Sequence, residues 1–245
     1  MRTRLGPLLA ELHAHTTWSD GAFSVGQLVD IYGERGFDVL CITDHACRPD
    51  DPWLEPSERH ERGVRPDVYG DYLAELDREA ERARSTYGLL LLPGLELTWN
   101  DLDPDEAAHA LALGLRRWTS LDDGIEAAMA SAGAGGAAIV AAHPYEAEPA
   151  PSPARLTRRF ARHHDRLAPL VHRWELFNRT TLFSWVAAAG LPAVATGDFH
   201  RLEHLPGWKT LIPCARDERA VVAYLRSRRP VYLARVGDEP ERLAA

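Results

Sequence analysis

Lysine is almost missing from this chain: among its 28 basic residues only Lys209 is a lysine. Any chemistry that needs a lysine amine must use that one position. Cysteine is scarce too. Cys41, Cys47 and Cys214 are odd in number and form no Cys-x-x-Cys pair, which excludes a disulfide framework and a thiolate zinc site and points to reduced thiols in a cytoplasmic protein. No apolar run reaches 18 residues, and the first residues lack the apolar core and cleavage site of a signal peptide, so neither a membrane span nor secretion is expected. Positive charge is in deficit. A net charge of −8 excludes a bulk nucleic-acid or membrane surface, leaving short oligonucleotide ends open as ligands. It does not exclude an anionic substrate, because bound divalent cations would be the largest local charges in a site. The glycine-rich Gly133-Ala134-Gly135-Gly136 has no Gly-Lys-Ser/Thr after it and reads as a plain turn. With no repeat, low-complexity tract or linker, residues 1–245 read as one domain.

Histidine and acid, by contrast, are placed with a pattern. Glu11-Leu12-His13-Ala14-His15 sets two imidazoles at i and i+2 after an apolar run, so on an extended chain both point to one side. Asp20 follows five residues later, with Gly21 behind it. The run Phe37–Thr43 is rich in β-formers and delivers Asp44 and His45. A short buried strand, Leu89–Leu92, is followed by Pro93-Gly94-Leu95-Glu96. His109 opens the apolar run to Gly114, Ala137–Ala142 ends in His143-Pro144, and Pro192–Thr196 ends in Gly197-Asp198-Phe199-His200. Trp174–Asn178 reads as a further strand carrying Glu175.

Helical patterns alternate with these strands. Ser24-Val25-Gly26-Gln27 has capping-box spacing, and the helix behind it carries Leu28, Ile31 and Tyr32 inward to Gly36. Residues 67–87 repeat apolar positions with helical spacing and stop at Gly88. Further helices are expected over residues 120–132, 155–166, 181–189 and 217–228. Alternation of this kind predicts a largely parallel sheet in an α/β fold. The segment 46–88 joins a Pro- and charge-rich loop to a helix and is a candidate lid.

Nine donors thus gather at or beside strand ends: His13, His15, Asp20, His45, Glu96, His109, His143, Asp198 and His200. Imidazole and carboxylate are ligands for first-row metals, and nine are too many for one tetrahedral ion. The order HxH…SDG…TDH…Glu…His…HP…GDxH resembles the PHP family, named for polymerase and histidinol phosphatase domains, over nearly the whole chain. The resemblance implies a distorted (β/α)7 TIM-like barrel with a cluster of two or three metal ions at the strand C-terminal ends. It implies a first site of His13, His15, Glu96 and Asp198, a second of Glu96, His109 and His143, and a third of Asp20, His45 and His200. Zinc, manganese and iron all suit such donors.

The resemblance implies in turn a stand-alone, metal-dependent phosphoesterase that hydrolyses a phosphomonoester or nucleotide phosphoester by a metal-bridging hydroxide. Its expected partner is a small phosphorylated substrate. Arg48, Arg179 and Arg201 follow site-proximal residues and are candidate phosphate clamps, and Asp44 and Glu175 are candidate orienters of the ligands. A non-catalytic metal-binding module serving stability or partner binding is the alternative. The amidohydrolase barrel also starts with HxH, but its common binuclear form needs a carboxylated lysine between the first and last motifs, and Lys209 comes after Asp198.

Overall fold

The computed structural model describes residues 6–48, 50–55, 63–146 and 157–237. Pro149, Pro151 and Pro153, which mark a loop in the sequence, and the first two residues of the helix expected over 155–166 lie outside them.

The first strand, β1 (Leu8–Glu11), leads through the two histidines and a tight turn to helix α1 (Val25–Glu34). The capping box forms as expected: Ser24 accepts from Gln27 N while the Gln27 side chain accepts from Ser24 N. Strands β2 (Val39–Ile42) and β3 (His45–Cys47) follow. Helix α2 (Tyr69–Tyr87) ends on Gly88 in the left-handed conformation. It buries Tyr69, Tyr72, Leu76 and Ala83 and lies against α1 and the next strand. The helical half of segment 46–88 is therefore wall and not lid.

Strand β4 (Leu90–Trp99) is much longer than the four residues expected. Pro93-Gly94 does not end it, because the strand changes partners there. Its first half runs parallel to β2, through Ile42 opposite Pro93, and its second half pairs with β3 and with β5 (Ala108–Leu113). β5 is antiparallel to β4 and to β6 (Ala138–Ala142), with α3 (Ile125–Ala134) between β5 and β6. Two single-turn helices, α4 (Arg159–Arg162) and α5 (His164–Leu167), precede β7 (Arg173–Asn178). The helix expected over 181–189 is shortened to α6 (Ser184–Ala188), because Thr181–Leu182 folds back on β7 as β8. Then come β9 (Ala193–Thr196), β10 (Gly207–Ile212), α7 (Glu218–Arg226), capped by Asp217, and β11 (Tyr232–Val236).

The sheet order is β11-β10-β1-β2-β4-β5-β6-β7-β8, with β9 on β7 and β3 on β4. The sheet curls far enough that the segments leaving β1 and β9 meet: Ala14, past β1, bridges Phe199, past β9. His15 N donates to Phe199 O at 2.8 Å and Phe199 N to His13 O at 3.0 Å, so the HxH and GDxH segments are stitched together. Two apolar clusters hold the curl. One fills the space between the sheet and α1, α2 and α3, around Leu28, Tyr32, Leu76, Leu95 and Ile139. The other gathers Leu8, Cys41, Leu92, Leu111, Val140, Val194 and Ile212 from seven strands, and α7 adds Val221 and Leu225. Side chains from so many strands can share one cluster only inside the curl. Fully burying each such Leu, Ile or Val is worth roughly 1.5–3 kcal/mol.

Candidate metal centre

Glu96 is the hub. It faces the site from the middle of β4 and is 1% exposed. Its Oε2 lies 3.3 Å from His13 Nε2, 3.3 Å from His15 Nε2 and 3.0 Å from His45 Nδ1. Its Oε1 lies 3.0 Å from His109 Nδ1 and 3.1 Å from His143 Nε2. Two further carboxylates complete the ring. Asp198 Oδ1 is 3.6, 3.5 and 3.4 Å from nitrogens of His13, His15 and His200. Asp20 Oδ1 is 3.7, 3.6 and 3.2 Å from nitrogens of His15, His45 and His200. All nine donors read from the sequence thus meet in one place.

Eight of them, all but Asp198, form three overlapping groups whose donor atoms lie within 4.8 Å of one another: His15, Asp20, His45 and His200; His13, His15 and Glu96; and Glu96, His109 and His143. His45, Glu96 and His143 reach the site from β3, β4 and the exit of β6. β5 runs antiparallel, so His109 comes from its N-terminal end. Backbone strain concentrates here. Of four non-glycine residues with positive φ among those described, His143 (27°), Arg179 (55°) and Asp198 (43°) stand one or two residues past β6, β7 and β9.

A second layer fixes the rings. His13 Nδ1 bonds Glu175 Oε1 at 2.9 Å, Thr196 Oγ1 donates to the same oxygen at 2.6 Å, and Glu175 Oε2 takes His143 N at 2.6 Å. Glu175 therefore orients two of the nine donors. Asp44 does something different from orienting His45: it accepts Thr16 N, Thr16 Oγ1 and Ser19 Oγ at 2.7, 2.8 and 2.6 Å, and so shapes the turn that presents Asp20. Thr98 and Thr157 hold His45 Nδ1 and His143 Nδ1 at 2.8 and 3.1 Å. Neither threonine stands out in the sequence as a site residue, although Thr98 shares a strand face with Glu96 at i+2.

These partners determine what fits inside. The Glu175 carboxylate only accepts, so His13 Nδ1 carries a proton, and in the neutral ring the Nε2 lone pair points at Glu96 and Asp198. Thr157 Oγ1 donates to His143 O at 2.9 Å and so accepts from His143 Nδ1, which leaves the Nε2 lone pair of that ring facing Glu96. Lone pairs aimed at carboxylate oxygens about 3 Å away repel unless a proton or a metal cation stands between them. Accordingly His13 Nε2, His15 Nε2 and Glu96 Oε2 are buried without a hydrogen-bond partner. The residues present fit metal ions. Charges this close also pull the pKa values apart. Against burial, His45, His13 and His109 hold Glu96 well below the usual carboxylate range. Glu96 and Asp198, again against burial, lift His13 well above the ordinary histidine value. Burial, helped by His45 and His200, pushes His15 down to about 3.

The candidate substrate arginines separate. Arg179 stays at the site, with Nη2 at 2.9 Å from Asp198 Oδ2 and 2.8 Å from Asp198 O. With Asp20, Ala22, His200, Arg201 and His204 it lines a cleft of about 380 Å³. Arg201 is 68% exposed there. Arg48 is turned elsewhere: its guanidinium lies over the Trp99 ring at 4.4 Å and its Nε is 3.0 Å from Asp50 Oδ1.

No family model matches the chain. A stretch of 42 residues, 17% of the chain, is 43% identical to the DNA polymerase/3'-5' exonuclease PolX of Bacillus subtilis (strain 168), and covers 7% of that protein. In structure, 93% of the chain is similar to a two-domain protein of Bacteroides vulgatus ATCC 8482 containing a predicted PHP-like metal-dependent phosphoesterase, with TM-score 0.64 and 18% identity. The chain spans 64% of that protein. It is similar over 78% of its length to a candidate metal-dependent phosphoesterase of Bifidobacterium adolescentis ATCC 15703, of which 87% is covered, with TM-score 0.51 and 16% identity. An amidohydrolase of Chromobacterium violaceum, with bound sulfate and no metal, is similar over 95% of this chain and 98% of its own, with TM-score 0.55 and 16% identity. The chain thus shares the mixed α/β fold of these three structures.

Proposed function

We propose that this chain is a metal-dependent phosphoesterase of the PHP family, a single distorted (β/α)7 barrel that hydrolyses a small phosphorylated substrate in the cytoplasm. The observation that carries the reading is Glu96, a buried carboxylate with five imidazole nitrogens at 3.0–3.3 Å. An acid so surrounded is suited to bridging ions. His13, His15, Glu96 and Asp198 would hold one, Glu96, His109 and His143 a second, and Asp20, His45 and His200 a third, with zinc, manganese or iron as candidates. Bound divalent ions supply positive charge opposite a phosphoryl group and lower the pKa of water toward about 7.

The chain's own residues do the rest. Glu175 keeps His13 and the backbone of His143 in place, and the Asp44 network keeps Asp20 in reach of His45 and His200. Arg179 is pinned on Asp198 through Nη2 and Nε, which leaves Nη1 for a phosphoryl oxygen in the cleft. Arg201, at the same cleft, supplies a second guanidinium to an anion. The amidohydrolase name of one neighbour does not transfer to this chain in its lysine-bridged form, because Lys209 is fully buried against Glu11 at 2.6 Å.

The test is hydrolysis of an aryl phosphate monoester and a bis-aryl phosphate diester by metal-loaded wild type and by Glu96→Ala. The reading expects turnover of at least one ester, reduced to background in the variant. A metal-loaded wild type inert on both would favour a metal-binding module without catalysis.

A further inference from the structure

The loop that leaves β3 is fastened to the exit of β4 at three successive residues. The Arg48 guanidinium lies over Trp99, the Asp51 carboxylate takes Asn100 Nδ2 at 2.8 Å, and the Trp53 indole N–H donates to Asp101 O at 2.9 Å. The middle fastening continues inward. Asn100 Oδ1 meets His109 Nε2 at 2.9 Å, and His109 Nδ1 stands 3.0 Å from Glu96 Oε1. Asp51 is fully buried, and its other oxygen accepts Trp53 N at 2.8 Å.

The direction of this chain of bonds is fixed by chemistry. A carboxylate only accepts, so Asp51 draws the amide nitrogen of Asn100 toward itself and turns the carbonyl oxygen toward His109. That oxygen also only accepts, so the proton of a neutral His109 sits on Nε2. Its Nδ1 lone pair is then left facing Glu96. Resting on the reading of Glu96, His109 and His143 as a metal site, we propose that Asp51 is a positioning residue. Through Asn100 it selects the His109 tautomer whose Nδ1 can bind a cation, and it thereby ties the loop carrying Arg48, Asp51 and Trp53 to metal occupancy.

Asp51→Asn tests this without removing volume. One edge of the new amide must still accept Trp53 N, so its N–H₂ faces Asn100. The Asn100 amide then turns over, His109 Nε2 becomes an acceptor, and its proton moves to Nδ1, where it blocks the cation. Asn100→Asp added to Asp51→Asn restores an acceptor to both neighbours and should rescue the site. Calorimetric titration of each full-length protein with Mn²⁺ or Zn²⁺ should show one ion binding about 10- to 100-fold more weakly in the single variant, the range typical of lost outer-layer partners. The double variant should return to within a few-fold of wild type. Nitrogen NMR of the metal-free wild type should find the His109 proton on Nε2. Unchanged affinity in Asp51→Asn, a double variant as weak as the single one, or a proton on Nδ1 in wild type would overturn the proposal. If the single variant does not fold, the double variant and the wild-type tautomer still decide it. Wild type that binds no metal at all would instead overturn the metal-site reading, with the tautomer measured independently.

Discussion

Glu11 and Lys209 are both fully buried, 2.6 Å apart, and they sit where two site segments meet. Glu11 Oε1 accepts Leu12 N, His13 N and Gly197 N at 3.0, 3.1 and 2.7 Å, so one carboxylate grips the backbone of both the HxH and the GDxH segments. Gly197 has no room for a Cβ, which would strike the Glu11 carboxylate and the Lys209 amine. Lys209→Met leaves that buried carboxylate without its counter-charge and should cost about 3–5 kcal/mol in urea unfolding. Adding Glu11→Gln should recover part of the loss; no recovery would mean that the charge pair is not its source. His172 makes a separate pH prediction. Burial, with Arg226, Arg228 and Arg173 nearby, pushes its pKa from 6.5 down to about 4, and the neutral ring accepts Ile139 N at 2.9 Å on Nδ1. The fold therefore binds fewer protons than the unfolded chain between these values. Its contribution is full above pH 6.5 and drains away as pH falls to about 4. His172→Asn should flatten the slope of stability against pH in that window by up to about one proton; an unchanged slope would remove His172 from the acid response.

At the scale of elements, α1 and α2 brace the face of the sheet next to the site. Arg82 of α2 reaches Asp30 at 2.5 Å and Gly26 O at 2.6 Å, and Tyr87 reaches Asp30 at 2.9 Å, which locks the two helices together. Truncation of buried Leu76 to alanine should cost about 2–5 kcal/mol, read by thermal or urea unfolding. Ser24→Ala, which opens the capping box, should cost only about 1 kcal/mol. Such elements are legible in the sequence because their periodicity and punctuation agree: the box at Ser24, the stop at Gly88, the apolar run of Val39–Ile42. The full length of β4 is hidden because Pro93-Gly94 looks like a break, whereas the sheet exchanges partners there and the strand continues. Thr181–Leu182 has the pattern of a helix start, and only the return pairing onto Phe177 and Asn178 reveals a strand. The nine donors can be read because each stands beside an apolar strand pattern. The contacts that orient them cannot: His13 and Glu175 are 162 residues apart, Asp51 and Asn100 49, and nothing local marks such pairs. Glu11 does leave a trace, as an acid inside an apolar run that must find a buried partner.

For the whole molecule, closure and site are one feature. The Ala14–Phe199 bridge that joins the segments leaving β1 and β9 also sets His13 and His15 beside Asp198 and His200. Asp20, Glu96 and Asp198 crowd into that seam in a chain of net charge −8, so ions that neutralise them should stabilise the entire fold. At ion concentrations about 100-fold above Kd the gain is roughly 2.7 kcal/mol per site. For a chain of this length that is roughly 5–10 °C in Tm, and chelation should remove it. An unaltered melting curve after chelation would place any bound metal outside the seam. The central claim, that Glu96 bridges metal ions, is tested most directly by anomalous X-ray diffraction at a metal absorption edge, from crystals of the metal-loaded protein. At least two peaks are expected, both within bonding distance of Glu96 and flanked by His13, His15, His109 and His143. No peak there, or a single peak that does not touch Glu96, would contradict the claim.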